Sequence, residues 1–381
     1  MRGAILLALL VLLAAATRAD AGERRVPHAW LGVTVDRAFS AADTGEWDRM
    51  VAAGVETVRT RFVWAQLQPY RTAQEVPAAD AARFTLQEGV PTDFSVTDAI
   101  VIAAAERRVT VLPVVEWAPG WAAARHGPFG VVPARPEDVS RLFRALVARY
   151  GPSGSLWQER PSLPRRPIRH WQVFNEPNLK GFWPIRPFAP SYVVTLRAAA
   201  QGIRAVDRSA TVVLAGLTGE SWSALNSLYR AGARGSFDAV SIHPYTARPA
   251  DVLRIARYTR RVMARHGDRT LPIWVTELSW PAAGGRLAEP PPWAAATDSR
   301  QARLLRQGIR RLVHARKRLR IGSVYWYTWL SVEGKSWFDY SGLRRVRRGK
   351  RVDTPALKAF RRTARRLQGC TKRPSNARDC V

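Results

Sequence analysis

The chain has little sulfur, lysine or acid, and each shortage narrows what it can be. Only two of its 381 residues are cysteine, Cys370 and Cys380, both in the last dozen. The body therefore lacks thiol chemistry, and two cysteines without nearby histidine fall short of the four ligands of a structural zinc site. In an oxidising compartment the pair would close one small tail loop. Lysine occurs only at 180, 317, 335, 350, 358 and 372, so the 60 cationic side chains are almost all arginine; against 30 acids they leave a formal charge of +30. Such a surface is able to attract anionic polymer. Its densest cluster, 344–351 with 361–366, has few aromatic residues for bases to stack on, and specific nucleic-acid recognition is not expected. No run after the N-terminus is long and apolar enough to span a bilayer, which takes about 20 residues. No glycine-rich phosphate turn follows the first expected strand, which argues against a dinucleotide-binding doubly wound sheet. Neither a metal nor an organic cofactor is expected.

What is present suits a large packed body: 46% hydrophobic residues and 15 tryptophans. Arg2, an apolar run over 4–16 and Ala19-Asp20-Ala21 have the pattern of a secretory signal peptide over 1–21, with cleavage near Gly22 and a secreted or extracytoplasmic product, an uncleaved anchor being the alternative. The remainder reads as one domain over 22–367 and a basic tail over 368–381.

Apolar runs at 29–35, 57–64, 109–117, 168–174, 211–217, 237–242, 271–276 and 323–329 predict eight strands. Helical periodicity predicts helices at 40–54, 99–107, 136–150, 192–206, 225–231, 250–266, 298–317 and 354–367. Eight strands each followed by a helix make a (β/α)8 barrel, and roughly 350 mature residues lie within the ~200 to over 400 such barrels span. In a barrel the active site forms at the C-terminal strand ends, which is where Trp117, Glu176, His243, Glu277 and Trp329 fall.

Two of these ends share one design. The run His170-Trp171-Gln172-Val173-Phe174 ends in Asn175-Glu176-Pro177-Asn178, and proline cannot continue a ladder. Ile273-Trp274-Val275-Thr276 ends in Glu277. Glycosidic bond cleavage uses two carboxyl groups flanking the bond, about 5–5.5 Å apart for retention and about 6.5–9.5 Å for inversion. Residues 176 and 277 belong to strands four and seven, so they can face each other across a barrel. Glu116 is a third carboxylate, but it lacks the Asn-Glu-Pro context, and pairing with an arginine is its expected role.

The Asn175-Glu176-Pro177 strand end together with Glu277 resembles clan A glycoside hydrolases over most of the mature chain. Within the clan, Trp-x-x-x-Asn-Glu-Pro-Asn, the Trp-Val-Thr-Glu of strand seven and the final Tyr-Trp are most similar to family 39 and its relatives in bacterial exopolysaccharide loci. The resemblance implies a retaining double displacement on a β-linked polysaccharide or oligosaccharide, with Glu176 as acid/base, Glu277 as nucleophile and Asn175 on the sugar 2-hydroxyl. It also implies that Arg59, five residues before Trp64, is the clan's strand-two arginine, that Tyr245 bonds the nucleophile, and that His243 stands beside it.

Alternation puts Arg59 and Arg61 on one face of strand two. Flat indole rings stack on sugar faces, and Trp117, Trp280 and Trp326 are the candidate platforms, Trp326 by its match to the clan's strand-eight residue. Two rival readings are a carbohydrate-binding barrel without catalysis and a polyanion-binding envelope protein; the presence of both glutamates argues against the first.

Overall fold

The apolar runs that read as strands are buried along almost their whole length, as strands covered by helices on one side and by barrel interior on the other must be. The structure is a computed structural model that describes residues 23–36, 43–294, 296–371 and 373–380. The signal peptide expected over 1–21 lies outside the described residues, as do residues 40–42 of the first expected helix. The strands are β1 (Leu31–Val35), β2 (Thr57–Val63), β3 (Thr85–Gln87), β4 (Val90–Thr92), β5 (Thr110–Glu116), β6 (Ala123–His126), β7 (Val131–Pro133), β8 (His170–Val173), β9 (Thr211–Val213), β10 (Leu217–Thr218), β11 (Val240–His243), β12 (Ile273–Leu278), β13 (Ile321–Trp326), β14 (Leu330–Val332), β15 (Arg344–Arg347) and β16 (Lys350–Asp353).

One parallel sheet runs in the order β10-β11-β12-β13-β1-β2-β5-β8-β9. β9 and β10 are successive pieces of a single barrel strand, interrupted over 214–216. The bridges Asn175↔Gly216 and Val213↔Ala239 close the sheet on itself through that strand, so the barrel has eight strands. Tyr192 stitches the interruption: its hydroxyl donates to Val173 O (2.8 Å) and accepts from Ala215 N (2.9 Å).

The expected helices are present with shifted ends. Phe188–Val206 starts earlier than expected because Pro190 sits in its first turn, where a missing N–H costs nothing. At Thr44–Ala52 Asp43 is the N-cap, accepting from Glu46 N at 3.4 Å. Among the described residues, no helix is long and apolar enough to cross a membrane.

Three small sheets were not legible in the sequence: the hairpins β3–β4 and β6–β7, and β14–β15–β16. Their strands are three or four residues long, too short to establish a period. The last of them also corrects the reading of the 344–351 cluster as surface charge. Arg344 is buried between Glu46 and Asp353, and Arg345 between Asp298 (2.9 Å) and Glu333 (3.5 Å). Strands made of paired arginines carry no apolar signature.

Inside the barrel, Leu112, Val213, Ala239, Trp274 and Tyr325 form an apolar layer separate from the main core. Beyond it the interior turns polar, with Arg59, Gln172, Ser241 and Thr276 all buried. The tail lies against the rest of the chain: Gln368 Nε2 donates to Gly54 O (2.7 Å), Ala377 N to Arg107 O (3.2 Å), and Cys370 and Cys380 form a disulfide.

Candidate active site

The polar interior column leads directly to the two glutamates. Gln172 of β8 is fully buried, and its amide donates to Leu214 O (3.2 Å) and Ser241 Oγ (3.0 Å) while its carbonyl accepts from Arg59 Nε (2.6 Å). That bond orients the guanidinium. Its other two nitrogens donate to Glu277 Oε1 (2.7 Å) and Asn175 Oδ1 (2.8 Å), so one planar fork ties together β2, β8 and β12.

Glu277 lies within β12, one residue further into the strand than expected. Between Val275 and Leu278 the register with β13 slips, three steps on β12 matching two on β13. A bulge of this kind breaks alternation and re-aims side chains. The result is that two consecutive residues serve the site: Thr276 Oγ1 bonds His243 Nε2 (2.9 Å), and Glu277 reaches the cleft. Tyr245, two residues past the end of β11, donates to Glu277 Oε2 (2.7 Å). Burial, and next Glu277 itself, push the Tyr245 phenol well up, which keeps it a donor.

Glu176 follows β8 through a turn in which both Phe174 (φ 61°) and Glu176 (φ 42°) are left-handed. Left-handed backbone at residues with a Cβ is costly and concentrates at functional sites. Glu176 N donates to Gly216 O (3.1 Å), and its Oε1 shares a 2.7 Å hydrogen bond with His243 Nδ1. Burial is the largest influence on its carboxyl and holds it above the ordinary carboxylate range; the hydrogen bond and charge of His243 oppose this, and the nearby Glu277 reinforces it. Gly216 is required here because any Cβ at that position would collide with the His243 ring.

An oxygen of each glutamate and a ring nitrogen of His243 lie within 4.8 Å of one another, close enough to grip a small cation. His243 commits its ring nitrogens to Glu176 and Thr276, however, and Glu277 faces a guanidinium. The set is therefore better suited to moving a proton than to holding a metal.

The cleft around these groups measures about 760 Å³. Beside Glu277, Arg61 pairs with the buried Glu116 (2.5 Å) and reaches Asp36 (3.7 Å), to which the Tyr327 hydroxyl donates (2.9 Å). Burial raises the Glu116 carboxyl despite the arginine. The aromatic part of the lining comes from loops: Trp293, Trp337, Phe338 and Tyr327 on one side, Phe129 and Phe182 elsewhere.

The structure thus brings together Arg59, Asn175, Glu176, His243, Tyr245 and Glu277, and it does not bring the three expected tryptophans to them. Trp280 (0% exposed) and Trp326 (1%) pack on each other in the core, with Trp326 Nε1 donating to Ser341 O. A ring with no accessible face cannot be a platform. Trp117, left-handed at φ 63°, lies with Trp47 and Ile100 in a hollow beside the cleft. The tryptophans that do face the cleft, Trp293 and Trp337, sit in the segments Pro290-Pro291-Pro292-Trp293 and Ser336-Trp337-Phe338 after strands seven and eight. Gln172 was missed as well; its one sequence signal is an amide inside an otherwise apolar strand.

No protein-family model matches the chain, and no curated protein does. Among solved structures it is similar to a family 39 glycoside hydrolase from Bacteroides cellulosilyticus WH2 (19% identity, TM-score 0.62, 90% of this chain and 64% of that one). It is similar to a monomeric beta-xylosidase from Caulobacter crescentus CB15 (16%, 0.63, 91% and 69%) and to a GH53 catalytic domain from Ignisphaera aggregans (19%, 0.54, 89% and 97%). The chain spans about two thirds of the length of the first two. These likenesses, with the closed eight-stranded sheet, give the chain the (β/α)8 fold of clan A glycoside hydrolases in a family 39-like form.

Proposed function

We propose that the chain is an exported retaining glycosidase that cleaves β-glycosidic bonds in an oligosaccharide or polysaccharide. The observation that carries this is the pairing of two unlike carboxyl groups. Glu277 faces two donors, Arg59 and Tyr245, while burial favours the protonated form of Glu176, and an oxygen of one lies within 4.8 Å of an oxygen of the other. That closeness suits the ~5–5.5 Å carboxyl separation of a double displacement and leaves little room for the water of an inverting one. In the first step Glu277 attacks the anomeric carbon as Glu176 gives its proton to the departing glycosidic oxygen, leaving a glycosyl ester on Glu277. In the second, Glu176 takes a proton from water, the oxygen of that water attacks the same carbon, and the ester bond breaks with its electron pair returning to Glu277. In this reading Asn175, whose carbonyl accepts from Arg59, holds the sugar 2-hydroxyl. The naming of one structural neighbour as a beta-xylosidase supports a β-configured substrate.

The test is turnover of a panel of aryl β-glycosides with the product anomer followed by NMR. A retained anomer is expected, as is loss of turnover in Glu277→Ala, which keeps the fold at reduced stability because Arg59 loses its buried partner. Glu176→Ala should slow poor leaving groups far more than activated ones, and azide should restore the latter as a β-glycosyl azide. An inverted product, or parent-like turnover in Glu277→Ala, would overturn the assignment.

A further inference from the structure

The charge of the chain is not spread evenly around the barrel. The ring helices Thr44–Ala52, Ser95–Glu106, Pro136–Tyr150, Phe188–Val206 and Ser221–Arg230 carry one, no, three, two and one Arg or Lys respectively. The next three, Pro249–Arg265, Asp298–Leu319 and Pro355–Gln368, carry five, eight and five. A compositional preference for arginine would raise all eight alike. These last three pack side by side, the middle one touching both others, so they form one continuous flank.

On that flank the cations are arranged in stripes. Arg254, Arg257, Arg261 and Arg265 are exposed at spacings of three and four, and so are Arg303, Arg306 and Arg310 one helix over, with Lys317 two turns beyond them. Exposed Lys358, Arg361, Arg362 and Arg366 continue the field on the third helix. Residues three and four apart share a helix face, so each stripe is a row of like charge that repels itself. The only acids of the three helices, Asp251 and Asp298, are both engaged by arginines. Among the described residues, none of the exposed cations on the second and third helices has a carboxylate within 4.0 Å.

We infer that this flank is a docking surface for a linear anionic polysaccharide, separate from the cleft, to which none of its residues contributes. Charge complementarity names an anion, and the helical rows name an extended one, because a cation recurs about every 5.4 Å turn along each helix and a chain with one carboxylate per sugar offers a comparable run of partners. Among the described residues, the large exposed hydrophobic side chains all lie elsewhere, so the three helices present no apolar side chain to insert into a bilayer. It also lacks the exposed aromatic rings on which unpaired bases stack. The inference does not depend on what the cleft catalyses; a docked chain would hold the protein on a polymer whether or not that polymer is the substrate.

The experiment compares two fourfold variants of equal charge. One carries Arg303→Gln, Arg310→Gln, Arg361→Gln and Arg362→Gln on the flank. The other carries Arg160→Gln, Arg165→Gln, Arg169→Gln and Arg208→Gln, all exposed and on none of the three flank helices. The probes are polygalacturonate, duplex DNA and phosphatidylglycerol vesicles, each titrated at low and physiological salt. Polygalacturonate affinity should fall about tenfold or more in the flank variant and stay within about twofold of the parent in the control, four exposed pairs at a few tenths of a kcal/mol or more each supporting that ratio. Melting temperatures and the turnover of any neutral aryl glycoside should match the parent in both variants; if the fourfold flank variant melts early, Arg310→Gln and Arg361→Gln singly should each give a partial loss. Equal losses in the two variants would reduce the effect to net charge and overturn the inference, and so would binding of vesicles or DNA in preference to the polyuronate.

Discussion

Arg59→Lys is the substitution that most directly tests how the site is held. The guanidinium is buried and makes three hydrogen bonds, to Gln172 (2.6 Å), Glu277 (2.7 Å) and Asn175 (2.8 Å), from three different nitrogens. An ammonium keeps the charge but is a single atom on a stem with no fork, and it can face only one of the three directions. If it stays with Glu277, the fully buried Gln172 carbonyl loses its donor, and an unsatisfied buried acceptor costs about 1–3 kcal/mol. Asn175 is half-buried and recovers a water partner but loses its orientation. We expect a stability loss of about 2–3 kcal/mol by urea denaturation. A comparable loss of transition-state stabilisation, at 1.36 kcal/mol per decade, would lower kcat/KM about 30- to 150-fold. Arg59→Met, which strips the cation from Glu277, should do worse on both counts, since breaking a buried ion pair costs about 3–5 kcal/mol. Retention of kcat/KM within about threefold of the parent in Arg59→Lys would refute this, because the fork would then not be what positions the two strand ends.

Three further outcomes are expected. Burial raises the Glu176 carboxyl, so its protonated form favours the folded state, and that contribution is lost as pH rises through the raised value. Glu176→Gln should therefore be more stable than the parent at neutral pH, with the two denaturation curves converging below about pH 4.3, the unfolded glutamate value, and a pH-independent difference would count against it. Trp337→Ala should raise KM several-fold, an aromatic contact being worth about 0.5–1.5 kcal/mol, at little cost in melting temperature; Trp326→Phe should do the reverse, which binding and melting measurements on the pair will decide. Truncation after Gln368, or Cys380→Ser, should lower the melting temperature, the disulfide loop being worth at most about 3 kcal/mol, without changing kcat; a fall in kcat at intact fold would mean the tail reaches the cleft.

The eight strands and the glutamate pair were legible because each rests on a local signal: a buried apolar run, then a polar residue and a proline or a second strand end of the same design. Arg59, His243 and Tyr245 were legible only through the clan resemblance, which matched each of them to a residue on the corresponding strand or at its end. The tryptophans were not, because strand-end position cannot tell a ring facing the cleft from one facing the helices. At Trp326 the ring packs on Trp280 in the core, and it is the following Tyr327 that faces the cleft. Strict alternation also fails at Thr276 and Glu277, where the bulge turns neighbours to the same side. Gln172 was passed over because a lone amide in a strand reads as a satisfied core group. It is one here, and it also aims the arginine.

At Gly216 the site depends on empty space. The residue contributes no side chain, stands 40 residues from one glutamate and 61 from the other, and serves the site through its backbone, which accepts from Glu176 N and lets the His243 ring lie against it. Selection at such a position acts on the absence of an atom. Any substitution there, alanine included, is a large step, and a lineage could lose the activity through it while keeping Glu176, Glu277 and every donor around them. A chain of this fold with an intact set of glutamates and a side chain at the position of Gly216 would thus be an inactive protein that looks, residue by residue, like a working one.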